Sequence, residues 1–313
     1  MDYHSTTVLE VLDLIIFKIS PTLNRDMEAW FWILGWSLCV LTIFGNGFII
    51  FLVGSKRHLR TKTNAFVVSL AVADFLVGLS AVPSLFFCKM AHWCNLPHAW
   101  LSWIHVIRWL CSYASVTNLC SLVSDRYIAI VKPLKYLNFM TRRHVIQIIS
   151  LCWAVPVVIH ILPAASIVFS ISVLFPIFLW VVMVVFEFLP CVMLIFCFVS
   201  MLRVIWKHDR AARTFAKQLS FNHRVVFKVH ERSAVKMMAV VINLFLLCYA
   251  LHLRCSFLSV LNVQNLCNDI EYKVPMLVLN SAVNPVAYAF FKRDIKKDII
   301  KSLKYCASLK RPN

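Results

Sequence analysis

The sequence predicts an all-α membrane protein: a seven-transmembrane helix bundle followed by a short amphipathic eighth helix. Its composition is the first observation, since 61% of the 313 residues are hydrophobic and only 15% are charged, with a mean hydropathy of +0.77. Soluble domains are roughly half apolar and about a quarter charged. Long apolar stretches recur along the chain, and the basic residues concentrate in alternate segments between them. These two patterns indicate repeated crossing of a bilayer.

Each apolar stretch approaches or exceeds the about 20 residues that a helix needs to cross the hydrocarbon layer. We predict spans at Trp30–Val53, Asn64–Cys88, Trp100–Val131, Val145–Phe169, Val173–Trp206, Ala234–Leu258 and Tyr272–Phe291. The fourth and fifth nearly merge, and Pro163, Pro176 and a cluster of serines divide them. The predicted organisation is therefore an outer N-terminal segment, 1–29, the bundle, 30–291, and an amphipathic helix with a short cytoplasmic tail, 292–313.

The net charge of +18 is distributed in a way that predicts orientation. Most lysines and arginines lie in four places: Lys56–Lys62, Arg126–Arg143, Arg203–Lys236 and Lys292–Arg311. Basic residues favour the cytoplasmic side of a membrane, so we expect a multi-pass plasma-membrane protein with its N-terminus outside and its C-terminus in the cytoplasm. The expected partners of this basic face are anionic membrane lipids and an intracellular protein, not nucleic acid.

The segment after the last span has a different pattern. Phe291, Ile295, Ile299 and Leu303 recur every four residues and lysines fill the other faces, as in a helix that lies in the headgroup plane. Cys306 follows this helix directly and is a candidate for palmitoylation, with an unmodified cysteine as the alternative. Cys255 and Cys267, near predicted outer ends, are candidates for a disulfide.

Polar side chains inside the predicted spans are functional candidates, because burying them in a bilayer is costly. This set comprises Asn46, Asp74, Ser115, Asn243, Asn280, Ser281 and Asn284. Asp74 is an isolated acid in its half of the bundle, so its carboxylate would either take a proton or find a cation. No Gly-x-Ser-x-Gly, metal motif or facing aspartate pair appears within the spans, so we predict no enzyme activity.

Several motifs occur in order, each on its own span. They are Gly45-Asn46, Leu70 to Asp74, Asp125-Arg126-Tyr127, Trp153, Pro190 and Asn284-Pro285-x-x-Tyr288, followed by the amphipathic segment. With these motifs the chain resembles the rhodopsin-like (class A) G-protein-coupled receptors across nearly its whole length. The resemblance implies a receptor that binds an extracellular ligand and activates heterotrimeric G proteins through rearrangement of helices three, six and seven. Arrestin is a further partner that it implies.

The resemblance also assigns roles to individual residues. Asp74, Ser115, Asn280, Ser281 and Asn284 match the family's sodium pocket, where a sodium ion acts as an allosteric modulator of inactive states. The switch and coupling positions are Asp125, Arg126, Tyr127, Glu231, Asn284, Pro285 and Tyr288. In the inactive form Arg126 is expected to pair with Asp125 and with Glu231 at the base of the sixth helix. The alternative is a solvated surface salt bridge.

The sequence departs from the family's pattern in two places. Leu101 stands where the family has a cysteine, and Tyr249 and Leu251 replace the usual tryptophan and proline of the sixth helix. A short second outer loop without cysteine, together with the segment 134–141, is similar to the melanocortin, lysophospholipid, cannabinoid and adenosine receptor cluster. The altered sixth helix leaves open a non-signalling decoy or dimer partner, and a membrane transporter is a further alternative.

Arg108 is the residue that bears most on the ligand. It occupies the position where amine receptors carry an aspartate, which argues against a biogenic amine. The expected ligand is a small molecule, lipid or peptide, such as an anionic lipid or a nucleoside-like compound, with an acidic group that the guanidinium binds. In the alternative, Arg108 pairs internally with Glu187 on helix five. Tyr249 and His252 are the next cavity residues expected to contact the ligand.

Overall fold

The computed structural model describes residues 29–81, 98–168, 174–218, 227–260 and 270–309, and all regular structure within these ranges is helical. Six helices are long and apolar enough to cross a membrane, and a seventh apolar stretch, Pro275–Phe291, is shorter. The order of elements agrees with the predicted bundle. The N-terminal segment 1–28 lies outside the described residues.

Seven spans follow one another along the chain. The first four are Ala29–Ser55, Lys62–Ala81, His98–Val131 and Arg142–Val168. The fifth consists of Leu174–Val182, a π-helical turn at Met183–Phe188 and Leu189–Gln218, and the sixth and seventh are Phe227–Val260 and Ile270–Phe291. A 3-10 turn, Arg57–Leu59, joins the first two spans, an inner helix, Pro133–Phe139, follows the third span, and a C-terminal helix, Arg293–Leu309, follows the seventh.

The fifth and sixth spans are longer than predicted. The fifth continues beyond Trp206 to Gln218, and the sixth begins at Phe227 rather than Ala234. Lysine, arginine and alanine are good helix formers, so a helix that has left the hydrocarbon layer need not end there. Much of the basic segment predicted as an inner connection is therefore helical.

The bundle packs around its third span, which contacts the second, fourth and fifth spans and the inner helix. Leu119, Leu194 and Phe245 belong to one core cluster and have essentially no exposed surface. On the outer surface, Phe44 and Leu247 are 72% and 67% exposed, as expected where side chains meet lipid. Because lipid is as apolar as these side chains, close packing and polar contacts hold the helices together.

The first and seventh spans approach closely at Gly45. A Cβ atom at this position would lie 3.0 Å from Cγ of Pro285 and 3.1 Å from its Cβ. The proline ring cannot rotate away, so only a residue without a side chain lets the two backbones meet here. Gly54, near the end of the same helix, has nothing within 4 Å of such an atom.

We therefore expect Gly45→Ala to destabilise the bundle by about 1–3 kcal/mol, the usual cost of overpacking. Alanine also favours helix formation in both positions, so Gly54→Ala should be neutral or slightly stabilising. Thermal unfolding of the purified protein in detergent measures the difference. Equal melting temperatures for the two variants would contradict the close approach.

Candidate functional site

The inner end of the third span carries a buried acid with three partners. Asp125 Oδ2 accepts hydrogen bonds from Arg126, at 2.5 Å from Nη2 and 3.0 Å from Nε. Thr63 Oγ1 of the second span lies 3.2 Å from the same oxygen, and Tyr136 of the inner helix donates its hydroxyl to Oδ1 at 3.0 Å. Asp125 has no exposed surface, and its carboxylate joins the second span, the third span and the inner helix.

Arg126 is held on both sides within this cluster. Its guanidinium pairs with Asp125 and also donates to the hydroxyl of Thr63, while its side chain remains 21% exposed. A charge-assisted contact that is partly shielded from water is stronger than a solvated surface pair. The predicted partner on the sixth span, Glu231, lies in the helix Phe227–Val260, but its side chain is outside the described residues.

The C-terminal helix is joined to the inner ends of the first two spans. Asn64 donates to Leu59 O at 2.7 Å and to Asp294 Oδ2 at 3.1 Å, and Lys292 donates to its side-chain oxygen. Further along, His58 Nε2 lies 2.7 Å from Asp298 Oδ2. These contacts, which sequence reasoning did not anticipate, fix the C-terminal helix against the turn at Arg57–Leu59.

Burial lowers the pKa of Lys292 to about 8, and the neighbouring Asp294 only partly offsets this effect. An unfolded chain would keep its lysine protonated until about pH 10.4. Between these values the unfolded state binds more protons than the folded state, so stability should rise with pH from about 8 to 10. Lys292→Met should abolish this rise.

Melting temperatures of wild type and Lys292→Met between pH 7 and 10 check the prediction. Lys297→Met, on an exposed position of the same helix, provides the control and should retain the wild-type profile. A flat wild-type profile would contradict the buried ammonium.

The middle of the bundle contains a second buried acid. Asp74 has no exposed surface, and its two oxygens accept hydrogen bonds from Ser115 at 2.5 Å and from the Asn284 amide at 2.8 Å. Ser281 also contacts this carboxylate. The second, third and seventh spans therefore meet at Asp74, and four residues that the family resemblance assigned to one pocket lie together there.

Polar groups line a crevice directly outward of Asp74. Its walls are Ser112, Ser115, Tyr249, Leu277, Asn280 and Ser281. Oδ1 of Asn280 is buried and has no hydrogen-bond partner among the described residues, which leaves an acceptor oxygen beside the crevice. The side-chain amide of Asn46 donates to Thr42 O in its own helix and to Ser281 O in the seventh span. Asn46 therefore joins the first span to the seventh.

One polar residue singled out in the sequence lies outside the bundle interior, and one that was not singled out lies inside it. Asn243 is exposed and bonds Ala239 O of its own helix, so it contributes nothing to the bundle interior. Asn118, which sequence reasoning missed, is fully buried and accepts a hydrogen bond from Ser69 at 2.6 Å, while Trp153 donates to Ser69 at 3.1 Å. A polar residue within an apolar span was the signal that could have found Asn118.

Towards the outer half of the bundle, the fifth and sixth spans meet through a contact between an acid and an imidazole. Glu187 Oε1 lies 3.2 Å from Nε2 of His252, and both side chains are nearly fully buried. The ring of Trp109 stacks on His252 with centroids 5.6 Å apart, and the Arg108 guanidinium carbon lies 5.9 Å from the Trp109 centroid. His252 therefore contacts Glu187. The structure places the residues predicted to contact the ligand in one region: Arg108, Glu187, Tyr249 and His252.

Tyr249 takes a central place in the sixth span. It is only 2% exposed, its ring stacks on Phe245 with centroids 4.1 Å apart, and its edge meets His252 at 5.9 Å. In the seventh span, Tyr288 is also fully buried, and Pro285 lies inside the helix. Side chains of Cys255 and Cys306 and the whole of Cys267 lie outside the described residues, as does Leu101's side chain.

Comparison with known protein families identifies the class of protein that has this arrangement. The model of the 7 transmembrane receptor (rhodopsin family) matches residues 45–288, which include the Asp74, Asp125 and Glu187 clusters. The chain belongs to this family. Members are receptors rather than enzymes, so the predicted class, the seven-span fold and the absence of enzyme activity are confirmed.

Individual relatives of the receptor match over shorter stretches. A "Dopamine D2-like receptor" of Drosophila melanogaster is 38% identical over 37% of this chain, and a "D(1B) dopamine receptor" of Xenopus laevis is 40% identical over 39%. "Octopamine receptor 1" of Lymnaea stagnalis is 34% identical over 37%. The matched stretch spans 13%, 27% and 18% of those three relatives.

The names of these three relatives bear on the predicted subfamily and on the predicted class of ligand. All three relatives are named as receptors for amines, so they do not confirm the predicted likeness to the melanocortin, lysophospholipid, cannabinoid and adenosine cluster. They do not confirm the expectation of a non-amine ligand either. Both remain predictions.

Proposed function

We propose that this receptor lies in the plasma membrane with its N-terminus outside, binds an extracellular ligand and activates a heterotrimeric G protein. The observation that carries the proposal is the Asp125–Arg126 contact, with its extra partners Thr63 and Tyr136, at the inner end of the third span. Arg126, which these contacts hold in place, can be released when the sixth and seventh spans move. Its release would open a cytoplasmic cleft for the G protein.

The inner helix supports this proposal with an apolar surface at the same face. Leu134 and Leu137 are 81% and 73% exposed there, directly beside the Asp125 cluster that Tyr136 contacts. Exposed apolar side chains rimmed by basic residues are typical of a protein-binding surface. A G-protein subunit is a partner that fits both this apolar surface and the receptor class.

The test is a G-protein dissociation assay in transfected cells, with each variant normalised to its cell-surface level. Leu134→Ala should lower the response several-fold, because it removes an apolar contact to the G protein without disturbing the bundle. Leu151→Ala, a 61% exposed position of the fourth span, is the matched control and should leave the response unchanged. A receptor that never dissociates a G protein under any ligand would instead support the decoy alternative.

The proposal includes a sodium ion as an allosteric modulator beside Asp74. Carboxylate, hydroxyl and amide oxygens are the ligands that hard cations prefer. The residues fit this requirement: Asp74, Ser115, Ser281 and Asn284 lie together, and the buried oxygen of Asn280 lacks a described partner. A bound cation would compensate the buried charge of Asp74 and stabilise the present packing of the second, third and seventh spans.

For the ligand, we propose an extracellular compound with a carboxylate or phosphate that binds Arg108, rather than a biogenic amine. Arg108 is only 6% exposed, and its cation lies close to the Trp109 ring and, through it, to His252. A buried guanidinium repels a ligand ammonium and binds an acid group in a fork. Dose–response curves of wild type and Arg108→Ala decide between the ligand classes: unchanged potency for every acidic agonist, or activation by amines alone, would end the anion proposal.

The remaining partner proposals concern the inner surface. Anionic lipids suit the exposed lysines of the C-terminal helix, of which Lys296, Lys297 and Lys301 are examples. Arrestin would use the same cytoplasmic cleft as the G protein. Palmitoylation of Cys306 would add a second membrane attachment to the C-terminal helix.

A further inference from the structure

Glu187 and His252 form the one acid–imidazole contact that the described residues show in the interior of the bundle. Their side chains are 3% and 6% exposed, and Nε2 of His252 lies 3.2 Å from Oε1 of Glu187. The contact joins the fifth span to the sixth. Ionisable groups in the interior of a membrane protein are costly and are therefore candidates for function. Neither the Asp125 cluster nor the Asp74 cluster uses this pair.

The backbone of the fifth span explains how the acid reaches the interior. Glu187 lies in the π-helical turn Met183–Phe188, whose wider repeat shifts side chains relative to an ordinary helix. Phe186, next to it, has no exposed surface and stacks on Tyr113 with centroids 4.5 Å apart. Such turns are frequent at functional sites. This one places a carboxylate against the sixth span.

The imidazole of His252 is enclosed by rings on two sides. Trp109 stacks on its face at an interplanar angle of 25°, and Tyr249 meets it edge-on at 82°. The other ring nitrogen, Nδ1, is buried and has no hydrogen-bond partner among the described groups. The pair is therefore packed by the receptor's own side chains, and a proton is small enough to bind Nδ1 without displacing a ring.

The titratable groups that surround His252 lie on four spans. They are Arg108 and Tyr113 on the third span, His160 on the fourth, Cys191 on the fifth, and Cys248 and Tyr249 on the sixth. Within residues 275–291 of the seventh span there is no carboxylate, lysine, arginine or histidine. Phenols, thiols and guanidinium groups ordinarily keep their protons at neutral pH, so an acid response has to be assigned between the two imidazoles, His252 and His160.

We propose that the Glu187–His252 pair is a proton-binding site through which external acid holds the receptor in its inactive arrangement. The effect of the proton on signalling rests on the function proposed above, whereas the proton site itself does not. A proton from the outer aqueous phase binds Nδ1 of His252 and turns the neutral ring into an imidazolium. The Nε2–H···Oε1 contact then becomes a charge-assisted bond between oppositely charged groups.

The added charge acts on both neighbouring spans. The imidazolium attracts Glu187 on the fifth span, and it lies over the face of the Trp109 ring, which also favours a cation. Arg108 repels it, and the guanidinium carbon of Arg108 lies 5.9 Å from the centroid of the Trp109 ring. Because His252 and Tyr249 are one helical turn apart, the tighter pair holds the inward packing of Tyr249 on Phe245. The sixth span is then less free to move away from the third.

The first experiment is independent of signalling. Melting temperatures of the purified receptor in lipid nanodiscs are measured from pH 8 to 5.5 for wild type, His252→Asn and His160→Asn. Lower pH should raise the melting temperature of wild type relative to His252→Asn by several degrees, because the proposed site requires the folded state, in which Glu187 faces the ring, to bind the proton more tightly than the unfolded chain. His160, whose Nδ1 contacts Pro156 O of its own helix at 2.7 Å, is the matched control, and His160→Asn should keep the acid stabilisation.

Glu187→Gln provides a second variant if His252→Asn does not fold. Glutamine retains an acceptor oxygen for Nε2 but removes the negative charge, so the acid stabilisation should fall to a small fraction of the wild-type shift. An acid stabilisation that persists unchanged in His252→Asn, or in Glu187→Gln where that is the variant that folds, would overturn the proton site.

The second experiment measures basal G-protein dissociation in cells at external pH 8 and 6. Wild type should signal several-fold less at pH 6, and His252→Asn should respond equally at both values. Acid that raises wild-type signalling would overturn the proposed direction. If the melting temperatures behave as expected while no variant dissociates a G protein at either pH, the proton site stands and the proposed signalling function fails.

Discussion

Asp125→Asn should raise basal G-protein dissociation about tenfold or more. The carboxylate is fully buried and holds Arg126 through two charge-assisted hydrogen bonds, of 2.5 and 3.0 Å. Hydrogen bonds to charged groups contribute about 1.5–3 kcal/mol, and 1.4 kcal/mol corresponds to a tenfold shift in an equilibrium. Asparagine keeps an acceptor for the Tyr136 hydroxyl, so the inner helix should stay in place while Arg126 is freed.

Basal dissociation in transfected cells, divided by the cell-surface level, measures this effect. Asp298→Asn makes the same chemical change at the same membrane face, but its carboxylate contacts His58 rather than Arg126. That control should signal at the wild-type level. Equal basal activity in the two variants would mean that the Asp125–Arg126 contact does not restrain the receptor.

Phe186→Ala is the substitution from which we expect the largest loss of stability. The ring has no exposed surface, lies in the π-helical turn and stacks on Tyr113. Deleting a buried aromatic ring costs about 3–5 kcal/mol in soluble proteins. Because lipid is also apolar, the loss here comes mainly from packing, so we expect the lower end of this range. That loss corresponds to a fall in melting temperature of roughly 6–12 °C.

Thermal unfolding in detergent checks this prediction. Phe188→Ala serves as the control, since Phe188 is two residues further along and is 52% exposed. It removes the same ring from a position where lipid or detergent can take its place, so the melting temperature should change little. A larger loss for Phe188→Ala than for Phe186→Ala would contradict the assigned orientation of the turn.

The clusters around Asp74 and Asp125 were expected because the sequence motifs resemble those of the rhodopsin-like receptors. The resemblance assigned Asp74, Ser115 and Asn284 to one pocket, and the structure joins all three. It also paired Asp125 with Arg126, and these two side chains are in contact. Thr63 and Tyr136 were missed because they come from the ends of other elements, where boundaries are least predictable.

The outer cluster was harder to predict because its backbone is irregular. We expected Arg108 either to bind a ligand or to pair with Glu187. The contact between Glu187 and His252 was not predicted. A π-helical turn changes the residue spacing, so a 3.6-residue pattern misplaces the side chains around it. The inner helix Pro133–Phe139 is too short for apolar periodicity to reveal, although proline at its first position is a typical helix start.

The attachment of the C-terminal helix to the first inner turn has a consequence for biosynthesis. His58 and Asp298 are separated by 240 residues, and Asn64 and Asp294 by 230. A chain grows from its N-terminus, so these bonds form only after the last span has been synthesised and inserted. A nascent receptor that stops at Phe291 therefore leaves Asn64 without Asp294 and Lys292. The joint between the first inner turn and the C-terminal helix therefore forms late, after all seven spans have been synthesised.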